Sequence, residues 1–382
     1  MKRIYLDHAA TTPVDPKVMQ AMKPFFNKKY GNASTLYRLG QEAKQALDHA
    51  RSQVANVLQA KSDEIIFTSG GTESDNFALK GIAFANRNKG KHIITTQIEH
   101  HAILEPCNWL EKQGFEITYL PVDRYGLVDL NRLEDAIRKD TLLVSIMFAN
   151  NEIGTIEPIE DVGKLCREHD VYFHTDAVQA IGKVPIDVNG MSIDLLSMSS
   201  HKIYGPKGVG ALYVREEVKI DPLLHGGGQE GNFRSGTENV AGIVGFGAAC
   251  ELTKKEMPKE PERQAKLRDR LIKNVLKIEN SHLNGHPTGR VPNNANFWFA
   301  FIEGESLILR LDMEGIEAST GSACSSKSLE PSHVLIGIGL KREETRGSLR
   351  LTLGRQNTKE DIDYVSEVLP QVVEKLREIS PF

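Results

Sequence analysis

The residues with the clearest chemical potential in this chain surround Lys202. Residues 195–198 read as a short buried strand that runs into Ser199, Ser200, His201 and Lys202. A turn marked by Gly205-Pro206 and by Gly208 and Gly210 follows, and residues 210–214 read as a second strand. A lysine at a strand end, flanked by hydroxyls and a histidine and followed by a rigid turn, is held at one point in space. Partial loss of water there would depress its pKa and make the amine nucleophilic near neutral pH. Taken alone, such a lysine fits a surface hairpin equally well.

Polar residues at other predicted strand ends narrow the chemistry. Ser69-Gly-Gly-Thr72 lies between a strand and a helix, so backbone N–H groups and the Thr72 hydroxyl can face an anion at the helix N-terminus. The run lacks the Gly-Lys-Ser/Thr ending of a nucleotide loop and is not Gly-x-Gly-x-x-Gly, so it implies no nucleotide. Ser199 and His201 could reach the same phosphate, and so could Thr237 at the end of the glycine-rich stretch that begins at His225. Asp176 and Gln179 follow the predicted strand 171–175. An aspartate set against a ring nitrogen would keep it protonated, and a glutamine amide could bond a ring hydroxyl. His100, after the predicted strand 92–96, could stack on a flat ring. A lysine, a ring-nitrogen aspartate and a phosphate cup together describe a pyridoxal-phosphate site. Cys324 stands apart in Ser319-Thr-Gly-Ser-Ala-Cys324, a run of small residues that reads as a mobile loop. An exposed thiol is generally avoided unless it is used.

A regular scaffold must position these groups. From residue 64 the pattern alternates: strands at 64–68, 92–96, 116–120, 142–148 and 171–175, with helices at about 73–86, 102–112, about 130–138 and 159–168. This rhythm predicts the α/β class, with a mostly parallel sheet covered by helices on both faces and ligands at the carboxyl ends of the strands. Upstream, Asp15-Pro16 reads as a helix start and residues 41–58 as an amphipathic helix, while 5–13 reads as a buried segment near the site. After Asn239 the pattern changes. Helices at 241–254 and 262–277 precede a turn-rich 284–292, strands at 296–301, 316–319 and 348–353, and helices at 306–313 and 359–379. The expected division is a large domain over 16–258 and a small α+β domain formed by 1–15 with 259–382, which carries the Cys324 loop.

Composition sets outer limits. The 382 residues carry a net charge of −4 and the pI is near 6.3, which argues against a nucleic-acid or anionic-membrane surface. No stretch approaches a membrane span, and the first residues lack an apolar signal core, so a cytoplasmic chain is expected. The four cysteines lie far apart with no Cys-x-x-Cys pair, which excludes a recognisable zinc or thioredoxin-type motif. Cys107, Cys166 and Cys250 sit among apolar or helical neighbours and read as packing residues.

The chain resembles the cysteine desulfurases of the IscS/NifS type, within the aminotransferase class V group of fold-type-I pyridoxal-phosphate enzymes. Beyond the residues above, the resemblance rests on Tyr5-Leu-Asp7, Thr68-Ser-Gly-Gly-Thr-Glu-Ser-Asp-Asn76, Glu99-His100, Asn150-Asn-Glu-Ile-Gly154, Asp176-Ala-Val-Gln179, Ser199-Ser-His-Lys-Ile-Tyr-Gly-Pro-Lys-Gly208, Arg234-Ser-Gly-Thr237 and Arg350-Leu-Thr-Leu-Gly-Arg355. It implies that Lys202 holds pyridoxal phosphate covalently, that Asp176 faces the ring nitrogen, Gln179 the ring hydroxyl and His100 the ring face, and that Gly71, Thr72, Ser199 and His201 hold the phosphate. It implies a homodimer in which Thr237 reaches the phosphate of the second subunit. It gives Asn151 and Arg350 the carboxylate of L-cysteine to bind, and makes Cys324 the sulfur acceptor. The implied partners are an IscU-type iron–sulfur scaffold protein and tRNA-thiolation proteins, with Cys324 open to sharing a transient [2Fe–2S] cluster with the scaffold. Neither nucleic acid nor membrane is expected as a direct partner. Two departures are visible: the family often has alanine where Gly71 stands, and the segment after Asp7 reads His-Ala where Asn-Ser is common. A selenocysteine lyase or small-amino-acid aminotransferase on the same scaffold stays open, to be separated by sulfide against selenide release. So does a cofactor-free assembly platform, which would lack the visible absorbance of bound cofactor.

Overall fold

The computed structural model describes residues 3–321 and 331–380; Cys324 lies outside the described residues. Seven strands form the main sheet in the spatial order Ile65–Thr68, Gly210–Val214, Leu195–Ser199, Tyr172–Asp176, Thr141–Ser145, His92–Thr96 and Glu116–Leu120. Gly210–Val214 runs antiparallel to both its neighbours, and every other pair is parallel. Connection length explains this: the short turn after Lys202 allows only an antiparallel return, whereas helical crossovers give parallel neighbours.

Strand alternation builds two cores, one on each face of the sheet. Ile65, Phe67, Ile94, Leu196 and Met198 pack with Leu47, Val54, Val162 and Phe246 of the helices Arg38–Leu58, Ile159–Glu168 and Val240–Glu256. Ile66, Ile93 and Leu195 point the other way, onto Phe77, Ile82, Ile103 and Leu110 of the helices Gly71–Asn86 and His101–Lys112. Helices therefore cover both faces, as the sequence pattern predicts. The start of Pro16–Met22 also agrees: Asp15 is its N-cap, accepting from Lys17 N, with Pro16 at the first position.

A separate core gathers Leu271, Phe297, Leu307, Leu349 and Leu369 around a three-stranded antiparallel sheet, with Asn294–Phe299 between Ser281–Asn284 and Ser348–Thr352. Ile4 and Leu6 belong to this core, and Ile4–Tyr5 pairs in parallel with Ile316–Glu317. The following residues turn back to the large sheet: Thr12 N donates to His201 O at 2.9 Å, and Tyr204 N to Thr12 Oγ1 at 2.8 Å. Residues 5–13 thereby link the small core to the Lys202 turn. Among the described residues no helix is long and apolar enough to cross a membrane.

One buried carboxyl supplies a stability test away from the cavity. Glu157 is 4 % exposed; its Oε2 accepts from Val128 N at 3.0 Å, and its Oε1 has no partner among the described residues. Burial raises its pKa to about 8, and the protonated form is then the native one at neutral pH. A carboxyl whose pKa is raised on folding stabilises fully below its unfolded pKa, and that contribution is lost as pH rises towards the folded value. Glu157→Gln should therefore gain stability relative to the parent between pH 5 and pH 8, by roughly 2–4 kcal/mol across that window. Urea unfolding at the two pH values checks this, and an unchanged difference would show that Glu157 is ionised in the fold.

Candidate active site

A cavity of about 550 Å³ opens at the carboxyl ends of the central strands of the main sheet, and Arg350 of the small sheet also lines it. Lys202, Asp176, Gln179, Ser199, His201, His100, Gly71, Thr72, Asn151 and Arg350 all line it. Lys202 sits at the end of the one-turn helix Ser200–Lys202 that terminates the strand Leu195–Ser199. Its Nζ donates to the carbonyls of Ala9 and Ala10, each at 2.6 Å, so the segment 5–13 aims it.

Asp176 closes the neighbouring strand and is 7 % exposed, with its Oδ1 accepting from Val178 N at 2.9 Å. Burial raises its pKa, while the Val178 N–H and the Lys202 charge act against that shift. Asp75, buried on the helix Gly71–Asn86, also lines the cavity; burial first and then the Asp176 charge push its carboxyl well above the usual range. Gln179 Nε2 donates to Ala9 O at 2.9 Å.

The helix Gly71–Asn86 points its N-terminus at the cavity, preceded by Gly70 at φ 154°. First-turn N–H groups of a helix lack intrahelical partners, which suits an anion. A Cβ on Gly71 would come within 2.7 Å of Val178 Cγ2, another lining atom, so the departure to glycine at this position matches the local packing. Glu73 in the same turn accepts from Ser69 N at 2.8 Å and from Arg234 Nε at 2.8 Å. That pair pins the glycine-rich stretch beside the helix N-terminus. Thr237, three residues on, is exposed and is not among the residues lining the cavity of its own chain.

His100 caps the helix His101–Lys112, its Nδ1 accepting from Ala102 N at 3.1 Å. An N–H can only donate, so the neutral ring carries its proton on Nε2. Burial first, and then Lys202, lowers its pKa to about 4, which keeps the ring uncharged at neutral pH. His201, bonded to Thr11 Oγ1 at 3.1 Å, is lowered to about 4 by burial and Lys202 as well.

Arg350 approaches from the small sheet and is 3 % exposed. Its Nη2 donates to Asp7 Oδ1 at 2.7 Å, and its Nη1 to Asn151 O at 2.9 Å and Gly321 O at 3.3 Å. Among the described residues its buried Nε has no partner, and neither does the buried Oδ1 of Asn151. Buried polar atoms left this way need a partner that the described residues do not supply. An arginine fork with a spare donor can take a carboxylate.

These observations fit pyridoxal phosphate with an amino-acid substrate: a helix N-terminus that opens on the cavity, a desolvated carboxyl beside the lysine, and an arginine whose Nε has no partner among the described residues. Asp75, Glu152, His101, Ser332 and His333 also line the cavity, and the sequence pattern assigns them no role. Asp75 and Glu152 fall within distinctive runs that could have pointed to them. His333, whose Nε2 lies 2.8 Å from Glu99 O, arrives through tertiary packing alone and leaves no local signal.

The aminotransferase class-V family matches residues 4–365. The chain is 60 % identical over its whole length to "Cysteine desulfurase IscS" of Methanosarcina thermophila, covering 94 % of that protein. It is 60 % identical to the protein of the same description from Dictyoglomus turgidum, again over the whole chain and covering 98 % of the relative. A solved "NIFS-LIKE PROTEIN" superposes with a TM-score of 0.93 at 40 % identity, over 98 % of this chain and 100 % of that one. With the matched sequence, fold and cavity in agreement, the chain belongs to the aminotransferase class-V family.

Proposed function

We propose that this chain is a pyridoxal-phosphate-dependent cysteine desulfurase, which takes sulfur from L-cysteine and releases L-alanine. The observation that carries the reading is one cavity holding Lys202, Asp176 and Gln179, with the Gly71–Thr72 helix N-terminus and the Arg350–Asn151 pair also on its walls. Two relatives named as cysteine desulfurases, each 60 % identical over the full chain, support the choice of reaction. When bound, the cofactor supplies an electron sink for bond cleavage in the amino acid.

The residues divide the remaining work. Lys202 would hold the cofactor covalently and, once released, move the proton at the substrate α-carbon as general base. Asp176 would hold the proton on the ring nitrogen, Gln179 would bond the ring hydroxyl, and His100 would cover the ring face and move protons as a neutral imidazole. Gly71, Thr72, Ser199 and His201 would hold the phosphate, and Arg350 with Asn151 the substrate carboxylate. Cys324 would take the sulfur: its thiolate forms an S–S bond as the substrate C–S bond breaks, and a persulfide results. Gly321 lines the cavity and precedes Cys324 by three residues, a span of at most roughly 11 Å of extended chain.

The same reading extends to assembly and partners. The exposure of Thr237 beside a pinned helix N-terminus supports a homodimer in which it reaches the second subunit's phosphate. Ile4 and Leu6 in the separate core of the small sheet support the division into 16–258 and 1–15 with 259–382. Persulfide sulfur would pass to an IscU-type scaffold protein, with Cys324 able to share a transient [2Fe–2S] cluster there, and to tRNA-thiolation proteins in the cytoplasm.

Mass spectrometry of the cofactor-loaded protein after exposure to L-cysteine tests the reading. One added sulfur on Cys324, with alanine formed in step, is the expected result. Formation of a keto acid without added sulfur would instead assign transamination.

A further inference from the structure

Lys183 lies behind Gln179 and has no part in the reading above. Its Nζ donates to the Gln179 backbone carbonyl at 2.9 Å and to Gln179 Oε1 at 3.1 Å. The residue is partly exposed along its length, but its ammonium is desolvated, which lowers its pKa to about 7; the charges of Lys202 and Arg350 act in the same sense. It lines a second cavity of about 30 Å³, room for a water or so, together with His8, Lys202, Tyr204, Glu256 and Arg355. His8 is held neutral there, its pKa lowered to about 4 by burial and then by Lys183. Glu260 lies on the same wall, and among the described residues no carboxylate is bonded to the Lys183 ammonium.

The partners of Gln179 fix its amide. An ammonium only donates, so Lys183 must face Oε1; a carbonyl only accepts, so Ala9 O must face Nε2. The same Ala9 carbonyl accepts from Lys202 at 2.6 Å, so the two lysines are joined through Lys183, Gln179, Ala9 and Lys202. One N–H of Gln179 remains for the main cavity, which the residue lines.

Resting on the proposed cofactor site, we propose that Lys183 is a positioning residue: it locks the Gln179 amide with an N–H towards the ring oxygen and sets a positive charge behind it, so that the oxygen stays anionic and the Lys202 nitrogen carrying the cofactor gives up its proton more readily. Two physical effects act in the same direction. A cation bonded to Oε1 polarises the amide and strengthens Nε2 as a donor. The Lys202 charge is one of the causes that depress the Lys183 pKa; it is removed when that amine carries the cofactor, and an anionic ring oxygen in front of Gln179 acts in the opposite sense, so the loaded site favours the Lys183 ammonium. That positive charge disfavours a further positive charge on the Lys202 nitrogen.

The test is a pH titration of the visible absorption band of the cofactor-loaded protein. Lys183→Met should raise the midpoint by about one pH unit, and Lys183→Arg should return it towards the parent value. In a Gln179→Leu background, Lys183→Met should add less than half of that shift, because the relay is already cut. Lys183→Gln keeps a donor without the charge; it should show part of the shift and carries the test if the methionine variant does not fold. A midpoint within about 0.2 unit of the parent in the folded variants would overturn the inference, even with a lowered melting temperature, since that is what a purely structural lysine would give. A parent protein with no titrating band after loading would instead remove the cofactor-site reading beneath it.

Discussion

Lys202→Ala should abolish turnover, with a loss of at least about 10³-fold, because on the proposed reading it would remove both the covalent anchor and the group that moves the α-proton. Lys202 is the only lysine among the described residues that line the main cavity. Lys207, five residues on, is exposed and lies outside that cavity, and Lys183 faces Gln179 from behind. Two main-chain carbonyls, of Ala9 and Ala10, orient the Lys202 ammonium, so a substitute amine from solution would meet a site shaped for a tethered one. Any cofactor retained by the variant should be held only non-covalently, through the phosphate cup, Asp176 and Gln179. Borohydride reduction of the parent, followed by peptide mapping, identifies the lysine that carries it. Label on Lys183 or Lys207 would refute the assignment, as would a variant that still forms alanine at a comparable rate.

How much of this site could be read from the chain depends on how local each signal is. Lys202, Asp176, His100 and Thr72 stand next to strand ends or helix starts, where periodicity breaks into polar and glycine residues, and the structure brings all four to one cavity. The strand Glu116–Leu120 and the helices Ile159–Glu168 and Lys359–Ile379 fall where apolar spacing puts them. The edge strand Ser281–Asn284 was not legible: Ser-His-Leu-Asn has one apolar residue, and it is held by pairing with Asn294–Phe299 rather than by its own pattern. The predicted strand 142–148 ends at Ser145 as a regular element, yet Ile146 N and Phe148 N still bond His174 O and Asp176 O, so the apolar run reports burial beyond the strand. The predicted helix start near residue 73 falls instead at Gly71, because glycine lowers the apparent helical signal where the turn needs close approach to Val178. Lys183 was invisible for a different reason. Its role follows from which atoms of Gln179 it faces, and that is decided by folding the turn after Asp176 back onto residue 9.

Cys324→Ser should separate the two halves of the reaction. Cofactor and L-cysteine should still bind and change the visible spectrum, because Lys202, Asp176 and Arg350 are untouched. Sulfur transfer should then stall, with no persulfide and alanine formation reduced by at least about 10²-fold, since a serine hydroxyl is a far poorer nucleophile towards sulfur than a thiolate. The chain has four cysteines, and the other three cannot take over. Cys107, Cys166 and Cys250 are buried free thiols. Burial is the largest cause pushing each of them well above the ordinary thiol range, so none is a thiolate at neutral pH. Cys107→Ala, Cys166→Ala and Cys250→Ala should therefore keep the activity of the folded protein, even where the lost side chain lowers stability. Peptide mapping of the cysteine-treated parent provides the second reading of the same question. Persulfide found on one of the buried three, or alanine and sulfide released by Cys324→Ser at the parent rate, would show that sulfur leaves the substrate by a route that does not pass through Cys324.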